Sequence, residues 1–279
     1  MIPTRRRTLL AFLLALSAGL SSCGGGGGGG DEAPDAGAPG GVGGEVVFST
    51  VKATASGQVY TVQTFLPASY AAGSTRLPAI YVTEADAMYG ANGQQSRFDA
   101  FKGVMQRRGT QAILVGIHGT ARRNTDFLLP GAAHYLDFIA KDLAPQIERQ
   151  YRADAAKRML SGLSHGGYFV VAALVLEASA GTPSFSHYLS TEASFGGHGN
   201  TAGFLEFEKQ LDASGRPAPA TLFLAGAPGF NGTAVVDPLH AQMTAHAHAG
   251  LTLVKAQYAT THVGADLPAF EEALARFAP

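Results

Sequence analysis

The sequence predicts an α/β fold in which a mostly parallel central sheet carries helices on both faces and follows an N-terminal antiparallel hairpin. Short apolar runs typical of buried strands alternate along the chain with longer segments of helical periodicity. Strands that alternate with helices pair in parallel through right-handed crossovers, so helices cover both faces of the sheet. One strand also passes directly into a helix through the glycine-rich turn at residues 161–167.

The strand candidates are short runs of β-forming residues bounded by turn residues. Residues 46–50 and 58–66 flank Ser56-Gly57, a spacing typical of an antiparallel hairpin. The later candidates are mostly apolar, as expected of strands buried between two layers of helices. They lie at residues 77–82, 112–117, 157–160, 187–192, 221–225 and 251–258.

Helical periodicity marks the segments between these strands. Pro145 lies inside one of them and should either kink that helix or begin a new one. The apolar residues before it share one face and are expected in the core. The predicted helices are residues 96–108, 134–151, 167–178, 202–211, 237–249 and 267–277.

The first 44 residues are expected to be a targeting segment and a tether. Three arginines at 5–7, an apolar stretch at 9–20 and a small-residue site ending at Cys23 are typical of a signal peptide spanning residues 1–23. The apolar stretch is too short for a permanent membrane helix. The site resembles the lipobox of bacterial lipoproteins, in which the cysteine becomes lipidated. Residues 24–44 are rich in Gly, Ala and Pro and predict a flexible tether.

These features predict a chain in the bacterial cell envelope, lipid-anchored at Cys23 and facing the periplasm or the cell surface. Residues 45–279 suit one α/β domain in length. The full chain has 46% hydrophobic residues and a formal net charge of −1, so the domain can build a full core and the chain lacks a polyanion-binding signature. Nucleic acid is therefore not an expected partner. The sequence predicts no particular oligomeric state.

The run Ser161-Gly162-Leu163-Ser164-His165-Gly166-Gly167 contains a G-x-S-x-G core between the predicted strand and helix. A sharp strand-to-helix turn holds its central serine in a strained conformation, and Gly162 and Gly166 remove side chains that would collide across it. The Ser164 hydroxyl then lies at a helix N-terminus, where unpaired N–H groups favour negative charge. The context favours Ser164 as a nucleophile over a chance match in a chain with 36 glycines.

A serine nucleophile needs a base, usually a histidine within hydrogen-bond distance. Of the nine histidines, His262 follows the last predicted strand and precedes the C-terminal helix, where the base that serves such a turn is expected. His246 and His248 lie two residues apart on a predicted helix, so they should point to different faces and form a poor metal pair. No metal site and no cofactor are predicted.

From about residue 77 to residue 277 the chain resembles the esterase family of the α/β-hydrolase fold that includes enterochelin-type siderophore esterases, feruloyl esterases and S-formylglutathione hydrolases. The siderophore-esterase branch is the most similar. The resemblance implies the α/β-hydrolase fold, a small-molecule ester substrate and an acyl-enzyme formed on Ser164 with His262 as base. It is carried by residues 79–86, 115–118, 123–127 and 135–168, above all by 138–148 with Tyr151-Arg152.

The resemblance also implies an oxyanion hole formed by two backbone N–H groups. One belongs to His165, and the other to Asp86 or Ala85 in the loop after the strand at 77–82. Family members often carry an Asp-Gly pair where this chain has Glu84-Ala85. A different shape of this loop is therefore expected.

Substrate-binding candidates follow from the same resemblance. Arg123 is expected to hold an anionic or catechol-like part of the substrate, or to order its loop through Asp126; a solvated loop charge is the alternative. The chain has no tryptophan, so an aromatic platform would come from Phe or Tyr residues that could equally pack in the core. The candidates are Tyr89, Phe127, Phe195 and Phe230.

The third member of the catalytic triad stays open. Many family members carry an acid soon after the strand at 221–225, whereas this chain has none until Asp237. Asp237 opens a helical pattern and could instead be an N-cap. Glu192 ends the preceding strand, where some α/β-hydrolases hold their acid, and a Ser-His dyad without an acid is the third possibility. We prefer Glu192, because an inward acid is needed to fix the imidazole tautomer.

Three functions remain in competition. A serine carboxylic-ester hydrolase, acting on siderophore-like or aromatic esters, is the preferred one. The absence of an acid directly after residue 225 leaves open a binding lipoprotein with degraded catalysis. An acyltransferase would use the same serine and histidine.

Overall fold

The computed structural model describes residues 44–89 and 93–279, so the predicted signal peptide, Cys23 and all but the last residue of the tether lie outside the described residues. The strands of these residues are β1 Val46–Lys52, β2 Val59–Phe65, β3 Leu77–Val82, β4 Met88–Tyr89, β5 Gln95–Ser96, β6 Ile113–Ile117, β7 Ala153–Leu163, β8 His187–Thr191, β9 Thr221–Gly226 and β10 Thr252–Gln257. Eight of them form one sheet in the order β1-β2-β6-β3-β7-β8-β9-β10, and β4 pairs with β5.

The sheet is antiparallel only at its N-terminal edge. Strands β1 and β2 form the predicted hairpin, and β2 also runs antiparallel to β6. Every later neighbour pairs in parallel, from β6 and β3 through β7, β8 and β9 to β10. The mostly parallel α/β-hydrolase sheet with an N-terminal hairpin is thus confirmed. In such a sheet the loops after the parallel strands meet at one edge, where ligands bind.

The α-helices of the described residues are α1 Arg97–Arg108, α2 Arg123–Phe127, α3 Gly131–Asp137, α4 Ala144–Gln150, α5 His165–Ala180, α6 Thr201–Ser214, α7 Asp237–His246 and α8 Asp266–Phe277. A π-helical turn, Phe138–Leu143, joins α3 to α4, and Pro145 lies in the first turn of α4. The predicted new start at this proline is confirmed, because proline lacks the N–H that a helix interior requires. No helix within the described ranges is long and apolar enough to cross a membrane.

Helix α5 lies at the centre of one face of the sheet and carries the predicted nucleophile at its N-terminus. It is apolar on nearly all sides, which is typical of a helix buried on all sides. It packs on β7 and β8 and is covered by α2, α3 and α6. Helices α1 and α8 cover the opposite face, where the rings of Phe101 and Phe270 stack with centroids 3.7 Å apart. Both faces are therefore covered, as predicted.

Helix α7 ends three residues earlier than the sequence predicts. Ala247 adopts a left-handed conformation, with φ 48° and ψ 49°, and this ends the helix at His246. His248 therefore lies beyond the helix, and its imidazole returns to the same buried carboxylate, Glu208, that His246 contacts. The expectation that these two histidines point to different faces was wrong, because it assumed helical geometry through residue 249.

Candidate active site

Ser164 occupies a strained turn between the end of β7 and the start of α5. Its backbone has φ 60° and ψ −116°, a conformation that residues with a side chain rarely adopt. A Cβ at Gly162 would overlap the carbonyl of Gly166, and one at Gly166 would lie 2.7 Å from Thr83 Oγ1. The two glycines are therefore required by close backbone approach, as the G-x-S-x-G pattern predicts.

The turn is anchored to the segment that follows β8. The N–H of Ser164 donates to the carbonyl of Thr191 over 3.0 Å, and the N–H of Ser194 donates to the carbonyl of Ser164 over 3.1 Å. Glu192 lies between these two contacts in the chain. The backbone that fixes the serine is thus continuous with the backbone that carries the carboxylate.

The Glu192 carboxylate is fully buried and is held against the His262 imidazole. His262 Nδ1 lies 2.8 Å from Glu192 Oε2. The backbone N–H of Asn231 donates to the same oxygen over 3.1 Å, and the N–H of Ala227 donates to Oε1. The Asn231 side chain also donates to the Glu192 carbonyl over 2.9 Å. Every donor comes from the loops after β9 and β10, so these loops form a cradle for one carboxylate.

The cradle keeps this carboxyl group ionised. Burial by itself would raise the pKa of Glu192, but the hydrogen bonds from His262, Ala227 and Asn231 outweigh burial and lower that pKa below its usual value of 4.5. An ionised carboxylate only accepts hydrogen bonds, so His262 Nδ1 must carry a hydrogen. In the neutral ring the Nε2 lone pair is then free to accept a proton.

Asp237, the competing acid, lies elsewhere. Its carboxylate accepts hydrogen bonds from Lys255 Nζ at 3.0 Å and Gln257 Nε2 at 2.9 Å. It is also not an N-cap, because Val236 caps α7 and no side chain contributes to that cap. The structure therefore brings Glu192, and not Asp237, to His262 Nδ1.

Two backbone N–H groups remain candidates for the oxyanion hole. The N–H of His165 belongs to the first residue of α5, where intrahelical acceptors do not reach. The N–H of Asp86 takes no part in the backbone hydrogen bonds of its loop, whereas that of Ala85 donates to the Ile117 carbonyl over 3.0 Å. The Ala85 N–H is therefore already paired, which leaves Asp86 as the candidate for the second donor. Gly119 N–H donates to Asp86 Oδ1 over 2.6 Å and fixes the loop.

The loop after β3 is tied to α2 by Glu84. This residue adopts a positive φ of 49°, and its carboxylate accepts a hydrogen bond from Arg123 Nε. The Glu84 side chain thus joins the loop after β3 to α2.

Arg123 contacts the turn rather than Asp126. Its Nη1 lies 2.6 Å from His165 Nδ1, and a guanidinium can only donate. His165 Nδ1 is therefore the acceptor, and burial together with the Arg123 charge lowers the pKa of His165. The proposed ordering of the loop through Asp126 was wrong for Arg123, because Arg122 Nε makes that contact at 3.2 Å.

A buried ion pair, which the sequence did not reveal, connects strands next to the Ser164 turn to α8. Arg97 Nε and Nη2 bind the two carboxylate oxygens of Asp266 at 2.7 and 3.0 Å. The guanidinium also donates to the Thr83 carbonyl at 2.6 Å and to Ser161 Oγ at 3.2 Å. It therefore joins the ends of β3 and β7 to the start of α8. Arg97 is the first residue of α1, where a cation opposes the helix dipole. This unfavourable position was the sequence feature that could have indicated a partner for Arg97.

We expect Asp266→Asn to lower the free energy of unfolding by about 3–5 kcal/mol, as typically follows when one partner of a buried pair is removed. Burial lowers the pKa of Arg97 to about 9, so the guanidinium stays charged at neutral pH and would be left without a counter-ion. Urea unfolding measures the change. The matched control is Asp137→Asn, which breaks an exposed pair with Lys141 and should alter stability little. Equal changes in the free energy of unfolding for the two substitutions would contradict the structural role of the Arg97–Asp266 pair.

Comparison with known proteins agrees with this fold. Residues 53–195 match the model of the family described as "Putative esterase". The ferri-bacillibactin esterase BesA of Bacillus subtilis is 29% identical over an alignment of 129 residues that covers 37% of this chain and 44% of BesA. The match thus spans less than half the length of that relative.

Two solved structures illustrate the likeness in fold. An IroE-like serine hydrolase from Shewanella oneidensis superposes with a TM-score of 0.69 at 23% identity, over 83% of this chain and 79% of that one. The siderophore hydrolase EstB of Aspergillus nidulans gives a TM-score of 0.68 at 18% identity, over 84% and 95% of the two chains. At such identities the likeness concerns the fold.

Proposed function

The chain belongs to this esterase family, and from that premise we propose that it is a serine carboxylic-ester hydrolase that works through an acyl-enzyme. The observation that carries the proposal is the 2.8 Å contact between His262 Nδ1 and the buried Glu192 carboxylate. The strained turn that holds Ser164 adds support. A buried acid that keeps the hydrogen of the imidazole on Nδ1 leaves Nε2 free to accept a proton, as a general base must.

In the proposed acylation step, Ser164 Oγ attacks the ester carbonyl carbon while His262 Nε2 accepts the hydroxyl proton. Glu192 keeps Nδ1–H oriented and stabilises the imidazolium that forms. The tetrahedral oxyanion accepts hydrogen bonds from the N–H groups of His165 and Asp86. Each such donor typically accounts for about 10²–10³ in rate.

Collapse of the tetrahedral intermediate completes the cycle in two stages. The C–O bond to the alcohol breaks, the leaving oxygen takes the proton from His262, and the acyl group stays on Ser164. A water molecule then attacks the acyl carbon with His262 as base. The carboxylic acid leaves, and the serine hydroxyl is restored.

Reaction with a fluorophosphonate tests the serine-histidine pair without knowledge of the substrate. The reagent should phosphonylate Ser164 Oγ with loss of fluoride, because this oxygen is activated by His262. Mass spectrometry of peptides should place one label per chain on Ser164, and hydrolysis of p-nitrophenyl butyrate should fall in proportion to labelling. A protein that neither reacts with the reagent nor hydrolyses any ester of a broad panel would sink the proposal.

The two other functions considered from the sequence stand differently. The binding-only alternative was motivated by the lack of an acid after residue 225, and the contact of Glu192 with His262 removes that motive. Acyl transfer would use the same Ser164 and His262. Product analysis with added alcohol acceptors separates it from hydrolysis, since transfer would yield a new ester in place of the free acid.

We propose aromatic or siderophore-like esters as the substrate class. The distant relative BesA is a ferri-bacillibactin esterase, and this supports the choice. The aromatic candidates Tyr89, Phe127 and Phe195 are buried, whereas Phe230 is 47% exposed and directly precedes Asn231 in the Glu192 cradle. Of these four candidates, Phe230 is therefore the one available to contact a substrate ring.

Comparison of an aromatic with an aliphatic acyl ester measures this contribution. In Phe230→Ala, the KM for a feruloyl or dihydroxybenzoyl ester should rise several-fold, because a stacking interaction that contributes about 1 kcal/mol to binding is lost. The KM for p-nitrophenyl acetate should stay near its original value. An equal change for both esters would show that Phe230 does not select the acyl group.

We also propose that the protein is lipid-anchored at Cys23 in the bacterial cell envelope. The support is the order of basic residues, apolar stretch and small-residue site before the single cysteine of the chain. Cys23→Ser should abolish incorporation of labelled fatty acid and release the protein from the membrane fraction. Incorporation that persists in this variant would contradict the anchor.

A further inference from the structure

A second group of chemically reactive side chains lies between α6 and the end of α7, on different elements from the serine and its acid. Glu208 of α6 has a fully buried carboxylate, and its Oε1 lies 3.2 Å from His246 Nδ1 and 2.5 Å from His248 Nε2. The three candidate ligand atoms all lie within 4.8 Å of one another. The catalytic scheme above uses none of these residues.

The backbone creates this convergence at one residue. His246 is the last residue of α7, and the left-handed conformation of Ala247 reverses the chain so that His248 faces α6. The two imidazoles meet with their ring centroids 5.5 Å apart and their planes nearly perpendicular. A helix continuing through residue 248 would have separated them, so the turn brings together two nitrogens that the helical pattern would hold apart.

We propose that Glu208, His246 and His248 bind a divalent transition-metal ion, with Zn²⁺ as the expected ion. Two imidazole nitrogens and one carboxylate oxygen are the protein ligands of many three-ligand zinc sites. Tetrahedral ligands about 2.0–2.1 Å from zinc lie about 3.3 Å from one another. The observed separations of 3.2 and 2.5 Å from Glu208 Oε1 need to open by less than about 1 Å.

The surroundings of the carboxylate fit a ligand role. Gln242 Nε2 donates to Glu208 Oε2 at 2.6 Å and to the Leu205 carbonyl at 2.7 Å. It thereby orients the carboxylate, as outer-shell hydrogen bonds do at metal sites. Oε1 lies near both histidines, and His246 Nδ1 also lies 3.0 Å from Oε2. The His246 side chain is 20% exposed, whereas His248 is 4% exposed. The ion would therefore approach along the edge of His246.

A metal at this position would join α6 to the end of α7, the helix that follows the Glu192 cradle in the chain. The chain from the Glu192 cradle, through Asn231 and the π-helical turn Gly232–Val236, runs directly into α7. The proposed ligands tie the far end of that helix to α6. The site is therefore structural in role, and the expected consequence of metal binding is a gain in stability of the α6–α7 layer.

The competing account is a metal-free cluster in which Glu208 accepts hydrogen bonds from both imidazoles. The same distances fit that cluster, so metal binding must be measured directly. The probes are Co²⁺ and Zn²⁺, added to the chelator-treated full chain without a histidine tag. Metal binding and thermal stability are measured without a substrate, so their outcome is independent of the proposed hydrolase activity.

The expected result is one Co²⁺ per chain with d–d absorption in the visible range, and a rise in Tm of roughly 5–10 °C with Zn²⁺ at 100-fold its Kd. His246→Ala should remove both effects. The matched control is His240→Gln, a histidine of the same helix outside the cluster, which should retain them. Binding that is absent from the unaltered chain, or that persists in both His246→Ala and His248→Ala, overturns the proposal.

X-ray absorption of the zinc-loaded chain decides the question if a variant fails to fold, as circular dichroism would reveal. The expected first shell contains two imidazoles and at least one oxygen near 2.0 Å. A shell without imidazole scattering overturns the proposal. A shell with two imidazoles supports it, because the structure brings Glu208 to the same point.

Discussion

Replacing Ser164 with alanine should lower kcat for ester hydrolysis by about 10⁴–10⁶. The substitution removes the only oxygen that the proposed mechanism acylates, and losses of this size follow removal of the nucleophile in other serine hydrolases. The strained turn is held by Gly162 and Gly166 and by backbone hydrogen bonds to residues 191–194, so alanine should leave its geometry intact. Initial rates with p-nitrophenyl acetate and butyrate give the measurement.

Ser194→Ala is the matched control for this substitution. Ser194 lies beside the nucleophile and donates to it only through its backbone N–H, which alanine keeps. Its rate should stay within about twofold of the original, as expected for a group that takes no part in the reaction. If Ser164→Ala hydrolyses every tested ester as fast as the unaltered protein, Ser164 is not the nucleophile.

Replacing Glu192 with glutamine should lower kcat by about 10⁴, because the amide no longer fixes the Nδ1–H tautomer of His262 or stabilises its charged form. Glutamine keeps the size of the side chain, but its amide nitrogen only donates, so either the Ala227 or the Asn231 N–H loses its acceptor. The KM should change less than kcat, since the acid does not touch the substrate. Steady-state kinetics with one ester separates the two parameters.

Asp237→Asn provides the discriminating control. Asp237 contacts Lys255 and Gln257, so its amide should leave kcat nearly unchanged. The reverse pattern, a large loss with Asp237→Asn and none with Glu192→Gln, would return the triad assignment to Asp237. Similar small effects of both would favour a serine-histidine dyad.

Glu192→Gln should also change how stability depends on pH. The folded-state pKa of Glu192 lies below its usual value of 4.5, so the folded state binds this proton less readily than the unfolded state. Its contribution to stability is fully present above pH 4.5 and is lost as the pH falls through the lower folded pKa. Below pH 4.5, the free energy of unfolding of the variant should therefore depend less steeply on pH. Parallel acid limbs for the two proteins would show that this carboxyl is not so stabilised.

Local sequence was sufficient for the features that depend on near neighbours. The hairpin followed from β-forming runs around Ser56-Gly57, and the break at Pro145 followed from the missing N–H of proline. The strained conformation of Ser164 followed from glycines two residues away on each side. The end of α7 escaped this reasoning, because Ala247 gives no sequence signal for a left-handed conformation.

Contacts between distant residues required the folded chain. His262 and Glu192 are 70 residues apart and Arg97 and Asp266 are 169 apart. Their residue types were visible in the sequence, but the register of neighbouring strands decides which carboxylate contacts the histidine and which contacts the arginine. For this reason the sequence left Glu192 and Asp237 in competition and did not reveal the Arg97 pair at all.

The sequence by itself determined the mostly parallel α/β sheet, the turn that presents Ser164 and the place of His262 after the last strand, since periodicity and glycine spacing act over a few residues. The tertiary structure alone decided that Glu192 meets His262 and that Glu208 gathers His246 and His248. These contacts join separate elements, so they form only when the chain is folded. A buried charge must find its partner within the fold, and no local pattern encodes where that partner lies.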